Sequence, residues 1–306
     1  MNNLIILKAK QKYWIQAFRL HTLPLGISGV AMGNIIVSYS TKISTVIFVF
    51  SILTAVLLQI LSNLANDYGD TLHGADSKER IGPQRTVQSG KISKKEMLSA
   101  IITFAILSFV SGFLLLIFSY KNIGIYSFLI FLSIGISSIW AAYAYTSSKK
   151  PYGYKGLGDL FVFVFFGIVA VVGVYFLQTA TLNFIVFLPA FALGFLSTAV
   201  LNLNNIRDIE NDKINNKITI PVKIGFAKAK IYHLFLILSS LILLLVFSLL
   251  IFENTTQYLF LAPLLILVVH ITKVLRTKTP EKFYPFLPKL SITIFIIVLG
   301  FWLGCL

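Results

Sequence analysis

The stretch LSNLANDYGDTLHGAD, residues 61–76, carries three aspartates and two asparagines, and it follows TVIFVFSILTAVLLQI, residues 45–60, which is apolar almost throughout. A second polar patch, LNLNNIRDIENDKINNKITIPVKIG, begins at residue 201 behind another apolar run. Asn63, Asp67 and Asp70 are spaced by four and three, and Asn204, Asp208 and Asp212 by four and four. Either spacing sets its polar groups along one side of a helix that continues out of the apolar run. A carboxylate near hydrocarbon costs up to ~3 kcal/mol on insertion scales, so clustered ones usually mark a function. For a lone aspartate a solvated helix end is the better reading. Six acids in two patches, counting Asp76 and Glu210, weigh against it. Carboxylates that oppose one another need a cation between them, and hard oxygen donors select Mg2+ or Mn2+. Mg2+ held by few protein carboxylates completes its shell with water and substrate phosphate. Such a site, beside basic loops at a membrane surface, suits a substrate with a diphosphate head and an apolar tail.

The elements that position these groups follow from hydropathy. With 57% apolar residues, 12% charged and a mean hydropathy of +0.86, the 306-residue chain could not hide its apolar surface in water. It is expected to be an all-α integral membrane protein. Apolar runs near 16–40, 44–66, 98–119, 123–145, 159–178, 184–204, 231–252, 257–275 and 287–305 predict nine transmembrane helices. With a cytoplasmic N-terminus, the inside segments hold all 26 Lys and Arg except Lys42 and Lys121, as the positive-inside rule requires. The net charge of +15 is therefore a topology signal and an attraction for anionic head groups or phosphates, not a nucleic-acid footprint. Of the 11 acids, only Glu253 falls outside.

Four crossings separate Asn63 from Asn204, so both patches reach the same side of the membrane. This predicts two four-helix pseudo-repeats, about 16–146 and 158–275, with an extra helix at 287–305, arranged around a central cavity. No linker divides the chain, so 1–306 reads as one domain. Residues 1–15 lack an apolar run before a small-residue cleavage site, and no cleavable leader is expected. The single cysteine, Cys305, excludes an internal disulfide.

NDYGD (Asn66, Asp67, Asp70), followed by RTVQSG from Arg85, resembles the first signature of the UbiA superfamily of intramembrane aromatic prenyltransferases. DIENDKINNKIT, with Asp208, Asp212, Lys217 and Thr219, resembles the second. RLHTLP, RIGPQRTVQSG, YAYTSSKKPYGYKGLGDL and LNNIRDIENDK are similar to the branch of that superfamily that prenylates 1,4-dihydroxy-2-naphthoate for menaquinone synthesis. The resemblance covers about residues 16–226. One departure stands in the first box: a third acid is usual four residues after Asp70, where this chain has Gly74, with Asp76 two positions later.

The resemblance implies Mg2+-dependent transfer of a polyprenyl group from polyprenyl diphosphate to 1,4-dihydroxy-2-naphthoate, with loss of CO2 and diphosphate, in a bacterial cytoplasmic membrane. On that reading Asp67, Asp70, Asp208 and Asp212 hold the metal, with Asp76 a further candidate, and Asn63, Asn66 and Asn204 orient or donate oxygens. Arg85, Lys150 and Lys217 are candidates for phosphate contact, and Tyr145, Tyr152 and Tyr154, with Tyr143, for the allylic cation. For each base a topology charge is the plainer reading, and for each tyrosine an interfacial belt. Asp159 either orients its loop, binds the acceptor or simply caps a helix. Two other functions are alternatives: a 4-hydroxybenzoate prenyltransferase of the same superfamily, and, more distantly, a cation transporter, since repeats and intramembrane acids also mark transporters. The charge pattern makes one prediction directly. Reporter fusions after Lys121 and Glu253 should read as outside, and fusions after Lys91 and Lys223 as inside. A consistent reversal would turn both acid patches away from cytoplasmic substrates.

Overall fold

The computed structural model describes residues 2–74 and 85–305, with backbone alone for residues 2–9. Asp76, and residues 80–84 of the RIGPQRTVQSG stretch, lie outside the described residues. The helices run α1 (Asn2–Phe18), α2 (Leu23–Ser38), α3 (Thr45–Leu72), α4 (Lys94–Ala144), α5 (Gly158–Val162), α6 (Val174–Thr179), α7 (Phe187–Arg207), α8 (Ile209–Ile214), α9 (Ile220–Ile224), α10 (Phe226–Ile251), α11 (Leu264–Arg276) and α12 (Phe286–Gly304). A π-helical segment, Phe163–Gly173, joins α5 to α6. No strand occurs among the described residues.

Eight helices among the described residues are long and apolar enough to cross a membrane, where the hydropathy pattern predicts nine separate ones. The difference lies in α4. Its 51 residues unite the expected runs at 98–119 and 123–145. A straight helix of that length would measure roughly 76 Å, against about 30 Å of hydrocarbon. Gly124 resolves this with φ 70° and ψ 176°, a backbone conformation open to glycine and costly for other residues. The chain turns back there: Phe128 packs edge-on against Phe113 at 5.9 Å and Tyr120 at 5.8 Å. The first span also differs from expectation, because α1 and α2 are separated at Arg19–Thr22, with Arg19 at φ 50°.

The core is apolar and divided by location. One cluster, with Met32, Val171, Leu196, Leu236, Phe247, Ile294 and Phe301, joins α2, the π segment, α7, α10 and α12. A second, with Leu61, Leu64, Ile92 and Met97, joins α3 to the start of α4. Hydrocarbon solvates the outer faces of such helices as well as a core would, so close approach of backbones must hold them together. Small residues permit it. A Cβ at Gly167 would come within 2.5 Å of the Ala190 carbonyl oxygen, and one at Gly69 within 2.5 Å of the Thr146 carbonyl carbon.

The Gly69 contact positions the site. Thr146 and Ser147 donate from their hydroxyls to the Ala65 carbonyl at 3.2 and 2.7 Å, docking the segment after α4 onto α3. Gly69→Ala should lift that segment and cost about 1–3 kcal/mol. A thermal melt in detergent should show a lower Tm, accompanied by reduced activity. An unchanged melt would mean that the two backbones are not in contact.

Candidate functional site

On α3 a stripe of Ser51, Thr54, Ala55, Leu58, Gln59, Ser62, Asn63, Asn66 and Asp70 borders one cavity of ≈ 380 Å3. At 1.5 Å per residue that stripe runs roughly 28 Å, close to the full hydrocarbon thickness. The far part of the cavity is apolar, lined by Phe113, Leu116, Phe131, Leu132, Phe166 and Leu177. The near end is charged: Asp70, Arg85, Asp208, Asp212 and Lys217 meet there, with Asn63, Asn66, Asn204 and Asn211.

The two acid patches enter differently. Asn66 and Asp70 sit four apart on the last turns of unbroken α3. In the second patch the helix does not simply continue. It ends at Arg207, Asp208 takes φ −94° and ψ 10°, and α8 begins at Ile209. The Asp212 N–H still reaches the Asp208 carbonyl at 2.8 Å, so both side chains keep the cavity face.

Each cavity carboxylate has a basic partner. The Arg85 guanidinium pairs with Asp70. Arg207 donates from Nε to Asp208 Oδ1 at 2.7 Å and from Nη2 to Oδ2 at 2.5 Å, and also reaches Asn204 Oδ1 at 2.8 Å. Lys217 lies 3.3 Å from Asp212. Burial pushes the Asp212 carboxyl up to about 6; Lys217 opposes this, while the charges of Asp208 and Asp70 add to it. Burial by itself disfavours the Lys217 ammonium, but the nearby acidic groups, Asp212 first and then Asp70, Tyr145 and Asp208, hold its pKa above the ordinary lysine value. Asp212 Oδ2 is buried and accepts no hydrogen bond among the described residues.

The PYGYKGLGD loop forms the wall between the patches. Gly153 and Gly158 lie against the Tyr145 ring, where a Cβ would come within 2.6 and 3.1 Å. Tyr145 packs edge-on to Tyr152 at 5.4 Å, and Tyr152 stacks on Phe161 at 4.1 Å. All three line the cavity. Burial pushes the Tyr145 phenol up to about 12, so it stays protonated at neutral pH. Tyr154 donates its hydroxyl to Asp70 Oδ1 at 3.1 Å, and its ring lies 5.7 Å from the Lys217 ammonium. The Ile218 N–H donates to the Tyr154 carbonyl at 2.9 Å, which ties this loop to the one after α8.

The structure thus brings Asn63, Asn66, Asp70, Arg85, Tyr145, Tyr152, Asn204, Asp208, Asp212 and Lys217 to one cavity. Five of the other residues singled out from the sequence, Asp67, Tyr143, Lys150, Tyr154 and Asp159, do not border it. Asp67 is buried but does not border the cavity, since a residue one step from Asn66 lies about 100° round the helix. Lys150 is exposed and does not border the cavity, while Thr146 and Ser147 just before it are docked on α3. Tyr143 is 36% exposed and faces away. Asp159 accepts the Tyr232 hydroxyl at 3.0 Å, a tie between the glycine-rich loop and α10. Among the described residues no group of three or more His, Cys, Asp or Glu is clustered tightly enough to hold a metal unaided.

Sequence reasoning gave no site role to Arg207 or Gln59, and it took in Arg19 and Thr22 only as part of RLHTLP. Arg207 stands between Asn204 and Asp208 in the second patch, so its position was a signal. Thr22 accepts hydrogen bonds from Gln59 at 3.2 Å and Asn63 at 2.9 Å across a gap in sequence that no periodicity reveals.

A helical membrane fold with a long cavity that joins a charged head to an apolar trough suits a protein that handles amphiphilic molecules. The chain belongs to the UbiA prenyltransferase family, whose model matches residues 27–302, and it is a prenyltransferase. It is 38% identical to a 1,4-dihydroxy-2-naphthoate octaprenyltransferase of Haemophilus influenzae, over 98% of each chain. It is 39% identical to the protein of that name in Escherichia coli, over 97% of each. In fold it is similar to a UbiA homologue of Aeropyrum pernix, with a TM-score of 0.65, 13% identity and coverage of 92% of this chain and 98% of that one. A UbiA homologue of Archaeoglobus fulgidus, solved with GPP and Mg2+, gives a TM-score of 0.56 at 18% identity over 97% of this chain and 99% of that one.

The two lysines separate a buried role from an exposed charge. Lys217→Met strands a buried carboxylate and should cost about 3 kcal/mol. Lys150→Met should stay within about 0.5 kcal/mol of wild type. Thermal melts of the two variants check this, and equal losses would contradict the placement.

Proposed function

We propose that the protein transfers a polyprenyl group from polyprenyl diphosphate to 1,4-dihydroxy-2-naphthoate, with release of diphosphate and CO2, at a divalent-metal site facing the cytoplasm. One observation carries this reading: a cavity of membrane length, apolar along the trough, closed at one end by Asp70, Asp208 and Asp212 beside Arg85, Arg207 and Lys217. The full-length likeness to two naphthoate octaprenyltransferases supports the acceptor. The bias of basic residues supports a cytoplasmic N-terminus and head site. The matching positions of Asn66 and Asp70 on α3 and of Asn204 and Asp208 at the end of α7 support two four-helix pseudo-repeats, with α12 as the extra helix.

The donor set fits Mg2+. It consists of hard oxygens only, from Asp70, Asp208, Asp212, Asn66 and Asn204, and Asp212 Oδ2 is a buried oxygen still lacking a donor among the described residues. These residues would hold the ion, with substrate phosphate completing its shell, since the protein supplies no tight cluster of its own among the described residues. Bound there, Mg2+ supplies Lewis acidity, neutralising charge as diphosphate departs.

The chain's own residues account for the rest. Arg85 offers a planar pair of donors to phosphate oxygens, and Lys217 a point charge. The faces of Tyr145, Tyr152 and Phe161 stabilise the allylic cation and keep water from it. The trough along α3 and α4 takes the tail, which keeps its apolar area out of water.

Purified protein with a polyprenyl diphosphate, 1,4-dihydroxy-2-naphthoate and Mg2+ should yield a decarboxylated prenyl naphthoquinol, identified by mass. Excess EDTA should abolish product and added Mg2+ restore it. Undiminished turnover in chelator would overturn the metal, and product from 4-hydroxybenzoate alone would overturn the acceptor.

A further inference from the structure

The two aspartates of NDYGD have different partners. Asp70 borders the cavity and pairs with Arg85. Asp67 is 3% exposed, lies off the cavity stripe and spends its carboxylate on the chain that follows Arg85. Thr86 donates to Asp67 Oδ2 from its backbone N–H at 3.1 Å and from its hydroxyl at 2.7 Å. The Val87 N–H points to Oδ1 at 3.4 Å. The turn is closed on itself as well, with the Ser89 N–H on the Arg85 carbonyl at 3.0 Å and the Ile92 N–H on the Thr86 carbonyl at 3.1 Å. It then leads through Ser93, whose hydroxyl accepts the Glu96 N–H at 3.2 Å, into α4.

These contacts form a mechanical chain. A buried anion on rigid α3 grips two consecutive residues, and the residue immediately before them carries a guanidinium into the cavity head. Charge-assisted bonds are the stronger kind, and a carboxylate that accepts several N–H and O–H donors is satisfied where it lies. We propose that Asp67 is a positioning residue that fixes the turn from Arg85 to Ile92, and so aims Arg85 at the diphosphate, and that it is not a metal ligand. The proposal rests on the head-group reading given under Proposed function and divides the labour within it. Asp70 faces the reacting end, and Asp67 holds the residue that contacts phosphate.

The test compares Asp67→Asn, Asp70→Asn, Thr86→Val and Thr86→Ser with wild type in detergent, each checked by thermal melt. Two readouts are taken: Mn2+ affinity by electron paramagnetic resonance without substrate, and KM and kcat for polyprenyl diphosphate. Asp67→Asn should keep Mn2+ affinity within about 3-fold, while Asp70→Asn loses more than about 10-fold. Asp67→Asn and Thr86→Val should each raise KM for the diphosphate by roughly 10-fold or more, because a charge-assisted bond is lost. Thr86→Ser, which keeps the hydroxyl, should restore it. The double variant Asp67→Asn with Thr86→Val should be little worse than the poorer single one, since both delete the same contact. Loss of Mn2+ binding in Asp67→Asn as complete as in Asp70→Asn would overturn the proposal. So would a wild-type KM in Thr86→Val, a near-isosteric variant that stays informative if Asp67→Asn fails to accumulate. A wild type that binds no Mn2+ would count against the metal reading instead, and the Thr86 series would still decide the role of Asp67.

Discussion

The three carboxylates at the cavity head, buried beside hydrocarbon, cannot remain charged without partners, and the rest of the structure is arranged around supplying them. Asp70 is matched by Arg85, Asp208 by Arg207 and Asp212 by Lys217. Burying one ion alone costs several kcal/mol even after relaxation, so removal of any one base leaves an expensive orphan. That requirement explains the loops. Asp67 grips the turn that delivers Arg85, and the Tyr154 carbonyl grips Ile218 beside Lys217. The Tyr154 hydroxyl then joins the two patches by donating to Asp70. The pairs that neutralise the head of the cavity are therefore the ties that close it.

On the proposed reading the same arrangement sorts a substrate by polarity. A diphosphate has donors and counter-charges only at the loop end, while a prenyl chain finds Phe113, Leu116, Phe131 and Leu177 along the trough. Between them stands the group of Tyr145, Tyr152 and Phe161, at the point where the bond to the leaving group breaks on the proposed reading. The hairpin of α4 matters here, since both of its arms line the trough and Gly124 sets the turn between them. Catalysis by placement of charge needs such a fixed frame, because donors that must reorganise lose much of their advantage.

How much of this could be read from the chain depended on whether the information was local. Hydropathy located every membrane-length helix among the described residues, and the expected runs at 98–119 and 123–145 are the two arms that meet at Gly124 within α4; what it did not show is that the turn between them rests on that single glycine. The acids stood out because carboxylates beside apolar runs are costly and rare. Which acids face the cavity was not legible. Spacings of three and four both count as one helix side, yet 100° of rotation separates Asn66 from Asp67 and gives them different neighbours. Lys150 and Lys217 look alike in sequence, and only the fold shows that the first is exposed and the second buried at the cavity head. Arg207 was overlooked for the opposite reason, being read as a topology charge although its position next to Asp208 allows a two-point contact.

The central claim is that residues from two distant helices, α3 and α7, serve one diphosphate head. The most direct measurement is a double-mutant cycle on kcat/KM at saturating Mg2+, with Asp70→Asn, Asp208→Asn and the pair. Each single change should reduce kcat/KM by roughly 100-fold or more, as loss of a group that stabilises leaving-group charge does. The pair should fall far short of the product of the two, because either loss already disables the shared site. Losses that multiply, or a single variant with near-wild-type turnover, would show that the two patches act apart.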